Sequence, residues 1–80
     1  MKLYLISQTE WNNYETYDSA IVCAEDANDA ATIHPDGDES WKDGFRHTWC
    51  SSPDLVKVEY IGDAVTGLDR GIVLSSFNAG

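Results

Sequence analysis

The chain has 80 residues, of which 14 are Asp or Glu and five are Lys or Arg, so its formal net charge is −9 with both histidines neutral. A chain of this length fits one domain and buries only roughly 60% of the surface that its unfolded form exposes, which argues against a deep catalytic cleft. Five scattered bases do not form the basic footprint that nucleic-acid phosphates require, and an anionic membrane repels the same charge. We therefore predict a single compact acidic domain over residues 1–80, with no direct contact to nucleic acid or membrane.

The amino-terminal apolar segment Met1–Ile6 turns polar at Ser7, which makes it too short for the core of a signal peptide. No apolar run approaches the roughly 20 residues of a membrane span. These features predict a cytoplasmic protein. In that compartment Cys23 and Cys50 are expected as free thiols, because cytosolic glutathione disfavours structural disulfides, and a bridge between them is the alternative.

Two segments near the amino terminus, residues 2–8 and 19–24, are rich in apolar and β-forming residues. The polar stretch between them contains Asn12 and Asn13, and asparagine tolerates positive φ. The pattern predicts a β-hairpin whose tip carries Trp11 and Tyr14, with strands that extend toward this tip.

A short helix is predicted after the hairpin. Asp26 followed by Asp29 resembles an N-cap with an acidic residue at the third helical position. Alanines recur at helical spacing as far as His34, and Pro35 stops the helix because the residue before a proline is pushed out of the helical region. We expect about two turns, held in place by packing against the sheet.

Residues 36–52 have no regular period; Asp36-Gly37 is a predicted turn, and Trp41, Phe45 and Trp49 are expected to fold over the small core. Alternation returns at residues 55–61, where apolar and charged residues take turns, and a last strand is predicted at residues 72–77.

The element order β, β, α, β, β predicts an α+β fold with a four-stranded, mainly antiparallel sheet and one short helix packed on a face. One short helix does not cover a sheet face. The tryptophans and residues 36–52 are expected to complete the cover, or an apolar patch is left open for a partner.

The chain contains the residue types that bind metals, but their spacing in the sequence does not fit a metal site. Two cysteines and two histidines are the inventory of a zinc site, yet Cys23 and His34 are eleven residues apart and only His47 and Cys50 form a close pair. A second set of acids, at positions 36, 38, 39 and 43, lacks the alternation and central glycine of a calcium loop. We therefore predict no metal and no cofactor.

Catalytic motifs are also lacking. Cys50 near His47 is the only nucleophile and base that are close in sequence, and nothing around them predicts a lowered thiol pKa. The glycines are isolated and form no phosphate-binding loop. We predict that the protein is not an enzyme.

The charge is unevenly distributed along the chain. Nine acids and no Lys or Arg lie between residues 10 and 39, while the remaining fifty residues balance five acids against five bases. Such acidity keeps a small protein soluble, but it also destabilises the compact state, which suggests that it has a use. Acids that steer association and aromatic residues that anchor it would form a partner-binding surface. Its predicted members are Glu10, Trp11, Tyr14, Glu15, Asp18, Glu25, Asp26, Asp29, Asp36, Asp38 and Glu39.

Several stretches of the chain resemble a group of short uncharacterised proteins encoded by bacteriophages and prophages. They are residues 1–8 (MKLYLISQ), 14–24 (YETYDSAIVCA), 33–35 (IHP), 48–52 (TWCSS), 56–64 (VKVEYIGDA) and 71–80 (GIVLSSFNAG). The resemblance implies a phage context, in the cytoplasm of a bacterial host. Small acidic phage proteins of this kind include anti-CRISPR and other anti-defence inhibitors, several of which occupy DNA-binding surfaces.

Two main hypotheses of function follow, beside a third in which His47 and Cys50 serve a metal or thiol protein. In the first, a phage-type, anti-CRISPR-like inhibitor binds the basic surface of a host defence protein or effector complex and blocks its binding to target DNA, as a DNA mimic. In the second, a small non-catalytic adaptor engages a protein through an apolar sheet face, and its acidity serves only solubility. We expect a monomer in both cases.

Overall fold

The computed structural model of the chain describes residues 1–9, 16–37, 41, 48–50 and 52–78, with the last two of these described by backbone only. These residues form four strands, one helix and one 3-10 turn. In chain order they are β1 (Lys2–Ser7), β2 (Thr16–Ala24), α1 (Ala27–Ala31), the 3-10 turn (Pro53–Leu55), β3 (Lys57–Asp63) and β4 (Gly71–Asn78). The predicted small α+β fold with a four-stranded sheet is confirmed.

The sheet has the strand order β3-β1-β2-β4, and every neighbouring pair is antiparallel. The predicted hairpin forms its centre, because Lys2 pairs with Ala24 at one end and Ser7 with Ser19 at the other. The second strand extends to Thr16, as expected. The predicted tip, with Trp11 and Tyr14, lies outside the described residues.

The two central strands bury alternate side chains on one face. Tyr4 and Ile6 of β1 lie opposite Val22 and Ala20 of β2, and all four are at most 4% exposed. Strands alternate their side chains between the two faces of a sheet, so this face carries the core. Ala24 at the end of β2 also belongs to this core, and its other members come from outside the strands: Ala30, Ile33, Trp49 and Cys50.

The helix lies over this core face and contacts β1, β2 and β3. It is shorter than predicted, because it ends at Ala31 rather than near Pro35. Thr32 is the C-cap: its backbone N–H and its hydroxyl both donate to the carbonyl of Asp29, at 3.1 and 2.6 Å. The N–H of Ile33 donates to Ala30 at 3.1 Å. These bonds reach back three residues and close the last turn in 3-10 fashion.

Two tryptophans pack on the core face, in agreement with the part of the prediction that the described residues test. Trp49 is 1% exposed and is the largest fully buried side chain among the described residues. Trp41 packs against the core and donates its indole N–H to the carbonyl of Thr32 at 2.7 Å. Its ring meets His34 edge-on, with centroids 4.8 Å apart. Phe45 lies outside the described residues.

The third strand begins two residues later than predicted. Pro53 opens a 3-10 turn through Leu55, which is capped by Ser52 as its hydroxyl accepts from the N–H of Asp54 at 3.3 Å. Proline favours the first position of such a turn, where no N–H is needed. The strand then runs to Asp63, and its Tyr60 packs edge-on against Tyr4 at a centroid distance of 5.8 Å.

The face of the sheet opposite the helix is only partly covered. Leu5, Ile21 and Leu74 are direct cross-strand neighbours on this face, and Leu74 is 64% exposed. At one end the thiol of Cys23 lies 3.7 Å from both the sulfur of Met1 and the carbonyl oxygen of Leu68, which places residues 64–70 across that end. An apolar patch therefore remains exposed on this second face, which the sequence-based prediction does not address.

Within the described part of the chain, no helix has both the length and the apolar character needed to cross a membrane.

Candidate functional site

Five of the nine predicted acids lie in the described residues, and they gather at the two ends of β2. Asp18 is near its first residue and Asp36 reaches the same end, where its carboxylate meets Tyr17. Glu25 follows the last residue, about 23 Å from Asp18 at about 3.3 Å per residue, and Asp26 and Asp29 lie with it at the start of α1. Four other acids and two aromatic residues of the predicted surface lie outside the described residues: Glu10, Trp11, Tyr14, Glu15, Asp38 and Glu39.

The predicted helix cap is present. The carboxylate of Asp26 accepts from the N–H of Asp29 at 2.8 Å, and Asp26 has the extended backbone of an N-cap residue. The carboxylate of Asp29 in turn accepts from the N–H of Glu25 at 3.1 Å. Two backbone donors at the helix start are thereby satisfied reciprocally, much as in a capping box.

Asp29 also forms an ion pair with a residue from the other half of the chain. Arg70 donates from Nε to both oxygens of Asp29 at 3.0 Å and from Nη2 to the hydroxyl of Thr32 at 3.1 Å. These bonds fasten the helix to the residue that precedes β4. The Arg70 hydrogen bond is the largest effect on Asp29 and lowers its pKa below the ordinary 3.8, against an opposing effect of burial.

Replacing Arg70 with glutamine should lower the free energy of unfolding by about 1 kcal/mol at neutral pH, because the pair is bidentate but partly exposed. A carboxyl with a lowered pKa stabilises the fold above its unfolded pKa and loses that contribution as pH falls through the folded value. The difference between Arg70→Gln and wild type should therefore be full at pH 7 and shrink as pH falls below 3.8 and through the folded pKa, in urea unfolding followed by circular dichroism. Lys57→Gln, with the same change in charge on an exposed residue, should show no such pH-dependent difference; an equal effect there would contradict the role of the pair.

Asp36 is the second acid with a role inside the fold. It accepts from the phenol of Tyr17 at 2.9 Å and from the hydroxyl of Thr48. The backbone N–H of Tyr17 donates in turn to the backbone carbonyl of Thr48, at 2.7 Å. Burial first, and then the hydrogen bond and charge of Asp36, raise the pKa of Tyr17 above 10.0. The carboxylate thus joins β2 to residues 48–50, and so to Trp49.

Buried polar side chains surround this junction between β2 and residues 48–50. Gln8 is 3% exposed and donates from Nε2 to the carbonyl of Tyr17 at 3.0 Å. His34, also 3% exposed, accepts the N–H of Asp36 at Nδ1, at 3.0 Å. The predicted turn at Asp36-Gly37 forms beside it, because the Gly37 N–H donates to the His34 carbonyl at 2.9 Å and Gly37 has a φ of +104°. Sequence reasoning missed Gln8 and Thr48, since neither belongs to a motif.

The described acids therefore divide by what their carboxylates do. Those of Asp26, Asp29 and Asp36 accept hydrogen bonds within the fold, while Glu25 is exposed and its carboxylate has none in the described part of the chain. Asp26 and Asp36 are nevertheless exposed as residues, so their charge still faces water. The predicted surface is thus negative at both ends of β2, but part of its acidity also holds the fold together.

The thiols and imidazole considered for metal binding lie apart. Cys23 and Cys50 are buried free thiols. Cys23 lies among the contacts of the open face, whereas Cys50 belongs to the core and its Sγ lies 3.4 Å from the carbonyl of Ser52. Among the described residues, no three His, Cys, Asp or Glu side chains come together as a metal site would require. His47 lies outside these residues.

Comparison of the chain with protein-family models, with curated proteins and with solved structures finds no match.

Proposed function

We propose that this protein is an acidic inhibitor that binds a positively charged surface of a nucleic-acid-handling complex and competes there with nucleic acid. The resemblance to phage-encoded proteins makes a DNA-binding bacterial defence effector, such as a CRISPR complex, the class of partner to test first. The protein itself performs no chemistry in this role. Its action is to occupy a site.

The observation that carries the proposal is the confinement of the whole net charge of −9 to residues 10–39. A basic groove that holds a phosphate backbone attracts such a segment over several ångströms and raises the rate of association. The described exposed acids on this segment, Glu25, Asp26 and Asp36, lie at the two ends of β2. An acidic segment that spans more than 20 Å suits an extended basic groove better than a single basic pocket.

The direct test is competition. A panel of purified DNA-targeting CRISPR effector complexes is incubated with the protein, and their binding to target DNA is followed by mobility shift. Inhibition that weakens as salt is raised supports the proposal, because exposed charges are screened within about 10 Å at 0.1 M salt. Target binding that is unchanged across the panel at high molar excess contradicts it.

Neutralising acids that have no known role in the fold should weaken this inhibition. We expect the triple variant Glu10→Gln, Glu15→Gln, Glu25→Gln to lose at least about tenfold in affinity at low salt and to show a flatter salt dependence, because steering depends on charges at the contact. Affinity is measured by surface plasmon resonance at several salt concentrations.

A matched control changes the net charge equally outside residues 10–39. The acids at positions 54, 59 and 69 are exposed, and the variant Asp54→Asn, Glu59→Gln, Asp69→Asn should bind almost as wild type. Equal weakening by both variants would mean that bulk charge, rather than a surface on residues 10–39, governs the interaction.

The open sheet face supports a second candidate, the adaptor. Its specific observation is Leu74, which is 64% exposed beside Ile21 and Leu5 on the sheet face opposite α1. If this face makes the contact, Leu74→Asn abolishes partner binding while the triple glutamine variant leaves it intact. The acidic inhibitor predicts the opposite pair of results.

A further inference from the structure

The two edge strands of the sheet differ in how they are protected. An edge strand presents unpaired backbone N–H and C=O groups, and natural proteins protect such strands from pairing with charges, prolines or bulges. Strand β3 carries Lys57, Glu59 and Asp63. Strand β4 has the sequence GIVLSSFN and contains no charged residue and no proline.

The side chains of β4 are exposed over most of its length. Ile72, Val73 and Leu74 are 38%, 47% and 64% exposed, and Ser75 and Ser76 are exposed as well. Three consecutive branched apolar residues in a strand have high β-propensity and favour pairing with another strand. In the described part of the chain, this is the strand edge with the largest apolar exposure.

One protective feature is present but is confined to the first half of the strand. The register shifts between Ile21 and Val22, where β4 has Val73 as an extra residue. A second register shift lies between Tyr17 and Ser19, but there the extra residue, Asp18, is on β2. Strand β4 therefore has no further extra residue from Leu74 to Asn78. Bulges increase the local twist, so Val73 is protected locally, but it is a single position and the residues on both sides of it keep their strand pairing with β2.

Charge decides which occupant fits this edge. Two copies of a chain of charge −9 repel each other, so a contact between them must lie where no acids meet. An antiparallel pairing of β4 with itself about Leu74 places residue 71 opposite 77 and residue 72 opposite 76, all of them uncharged. The nearest charge, Arg70, then faces residue 78 of the other copy rather than an acid or a second arginine. The strand is therefore self-complementary, as a two-fold interface requires.

We propose that β4 pairs antiparallel with β4 of a second copy of this chain, which joins the two sheets into one of eight strands. The pairing satisfies backbone groups that no described strand pairs at the outer edge of β4, and it sets the two Leu74 side chains beside each other on the face opposite α1. This dimer replaces the monomer expected from the sequence. The dimer also carries two copies of the exposed apolar sheet face and two copies of the acidic segment 10–39. Either surface would therefore be bivalent toward a partner.

The test is the mass of the protein in solution. Sedimentation equilibrium over a range of protein concentration should give twice 8.9 kDa at the upper end. Because the two copies repel, raising the salt concentration should strengthen the dimer. A wild-type chain that stays at 8.9 kDa up to millimolar concentration at high salt overturns the proposal.

A charged substitution in β4 locates the interface. Ser75→Lys places two lysines close together across the two-fold axis and should lower the association constant at least about tenfold. Val65→Lys is the matched control, since Val65 is 74% exposed in the loop before β4 and the net charge changes equally. Both variants reduce the repulsion between copies overall, so a loss of dimer in Ser75→Lys alone points to β4. If neither variant loses the dimer, the proposed interface is wrong.

A cross-link provides an independent measurement that requires no loss of folding. In Leu74→Cys the introduced thiols of two copies lie opposite each other, whereas the native Cys23 and Cys50 are buried. Mild oxidation should convert most of Leu74→Cys to a covalent dimer and should leave Val65→Cys largely monomeric. Equal rates of cross-linking in the two variants contradict the pairing.

Discussion

Replacing Trp49 with alanine should cost about 3–5 kcal/mol of the free energy of unfolding, the largest effect expected of any single substitution in the described residues. Trp49 is 1% exposed and belongs to the core cluster, together with Ile33 and the buried side chains of β1 and β2. Alanine would leave a large cavity in a domain that has few other apolar side chains to fill it. Domains are stable by only about 5–15 kcal/mol, and a small one lies near the low end.

Urea unfolding followed by far-ultraviolet circular dichroism measures this cost without relying on tryptophan fluorescence, which three tryptophans share. Trp49→Phe is the matched control. The indole N–H of Trp49 is buried and has no hydrogen-bond partner among the described residues, so phenylalanine keeps most of the ring packing and removes an unsatisfied donor. We expect a loss below about 1.5 kcal/mol for phenylalanine. An alanine variant that unfolds at the same urea concentration as the phenylalanine variant would show that the ring does not fill the core.

The strands and the helix start could be predicted because their signals are local. The apolar and β-forming residues of 2–8 and 19–24, and the cap formed by Asp26 and Asp29, are each contained within a few neighbouring residues. The helix ends at Ala31, before the position that Pro35 predicts, because Thr32 already terminates it. Thr32, which closes the helix with its own hydroxyl, carries no such obvious signal.

The contacts that give individual acids their roles could not be predicted, because they join distant parts of the chain. Arg70 is 41 residues from Asp29, and Thr48 is 12 residues from Asp36. In the sequence both acids are members of one uninterrupted acidic segment. Only the antiparallel order β3-β1-β2-β4, which brings residue 70 to the start of the helix, separates acids that hold the fold from those that only face water.

This separation changes how the acidic segment is tested. Neutralising all nine acids at once would remove the helix cap, the Arg70 pair and the junction at Asp36 together. Loss of activity would then follow from unfolding as readily as from loss of a contact surface. Asp26, Asp29 and Asp36 must therefore stay intact in any variant meant to measure charge alone.

Replacing Asp36 with asparagine should lower the free energy of unfolding by about 1–2 kcal/mol, even though it changes one oxygen to an NH₂ group. The carboxylate accepts from two hydroxyls, those of Tyr17 and Thr48, and an amide has only one oxygen with which to accept. Hydrogen bonds to a charged group contribute about 1.5–3 kcal/mol, and the exposure of Asp36 places its loss at the low end.

The alkaline side of the stability profile provides a second readout of the same substitution. Since the pKa of Tyr17 is raised in the fold, its neutral phenol contributes stability that is full below pH 10 and is lost as pH rises through the folded value. Asparagine removes the negative charge and leaves burial, the largest cause of the shift, in place. The pKa of Tyr17 should therefore fall in Asp36→Asn but stay above 10.0, as followed by the NMR shifts of the ring.

Glu25→Gln is the control that makes the comparison decisive, because it removes the same charge from an exposed residue of the same segment. We expect it to change stability by less than about 0.5 kcal/mol. A double-mutant cycle of Asp36→Asn with Thr48→Val should give a coupling of at least about 0.5 kcal/mol, because the two residues share one bond. If Asp36→Asn instead proves as harmless as Glu25→Gln, Asp36 is a surface charge after all, and it belongs with the acids available to a partner.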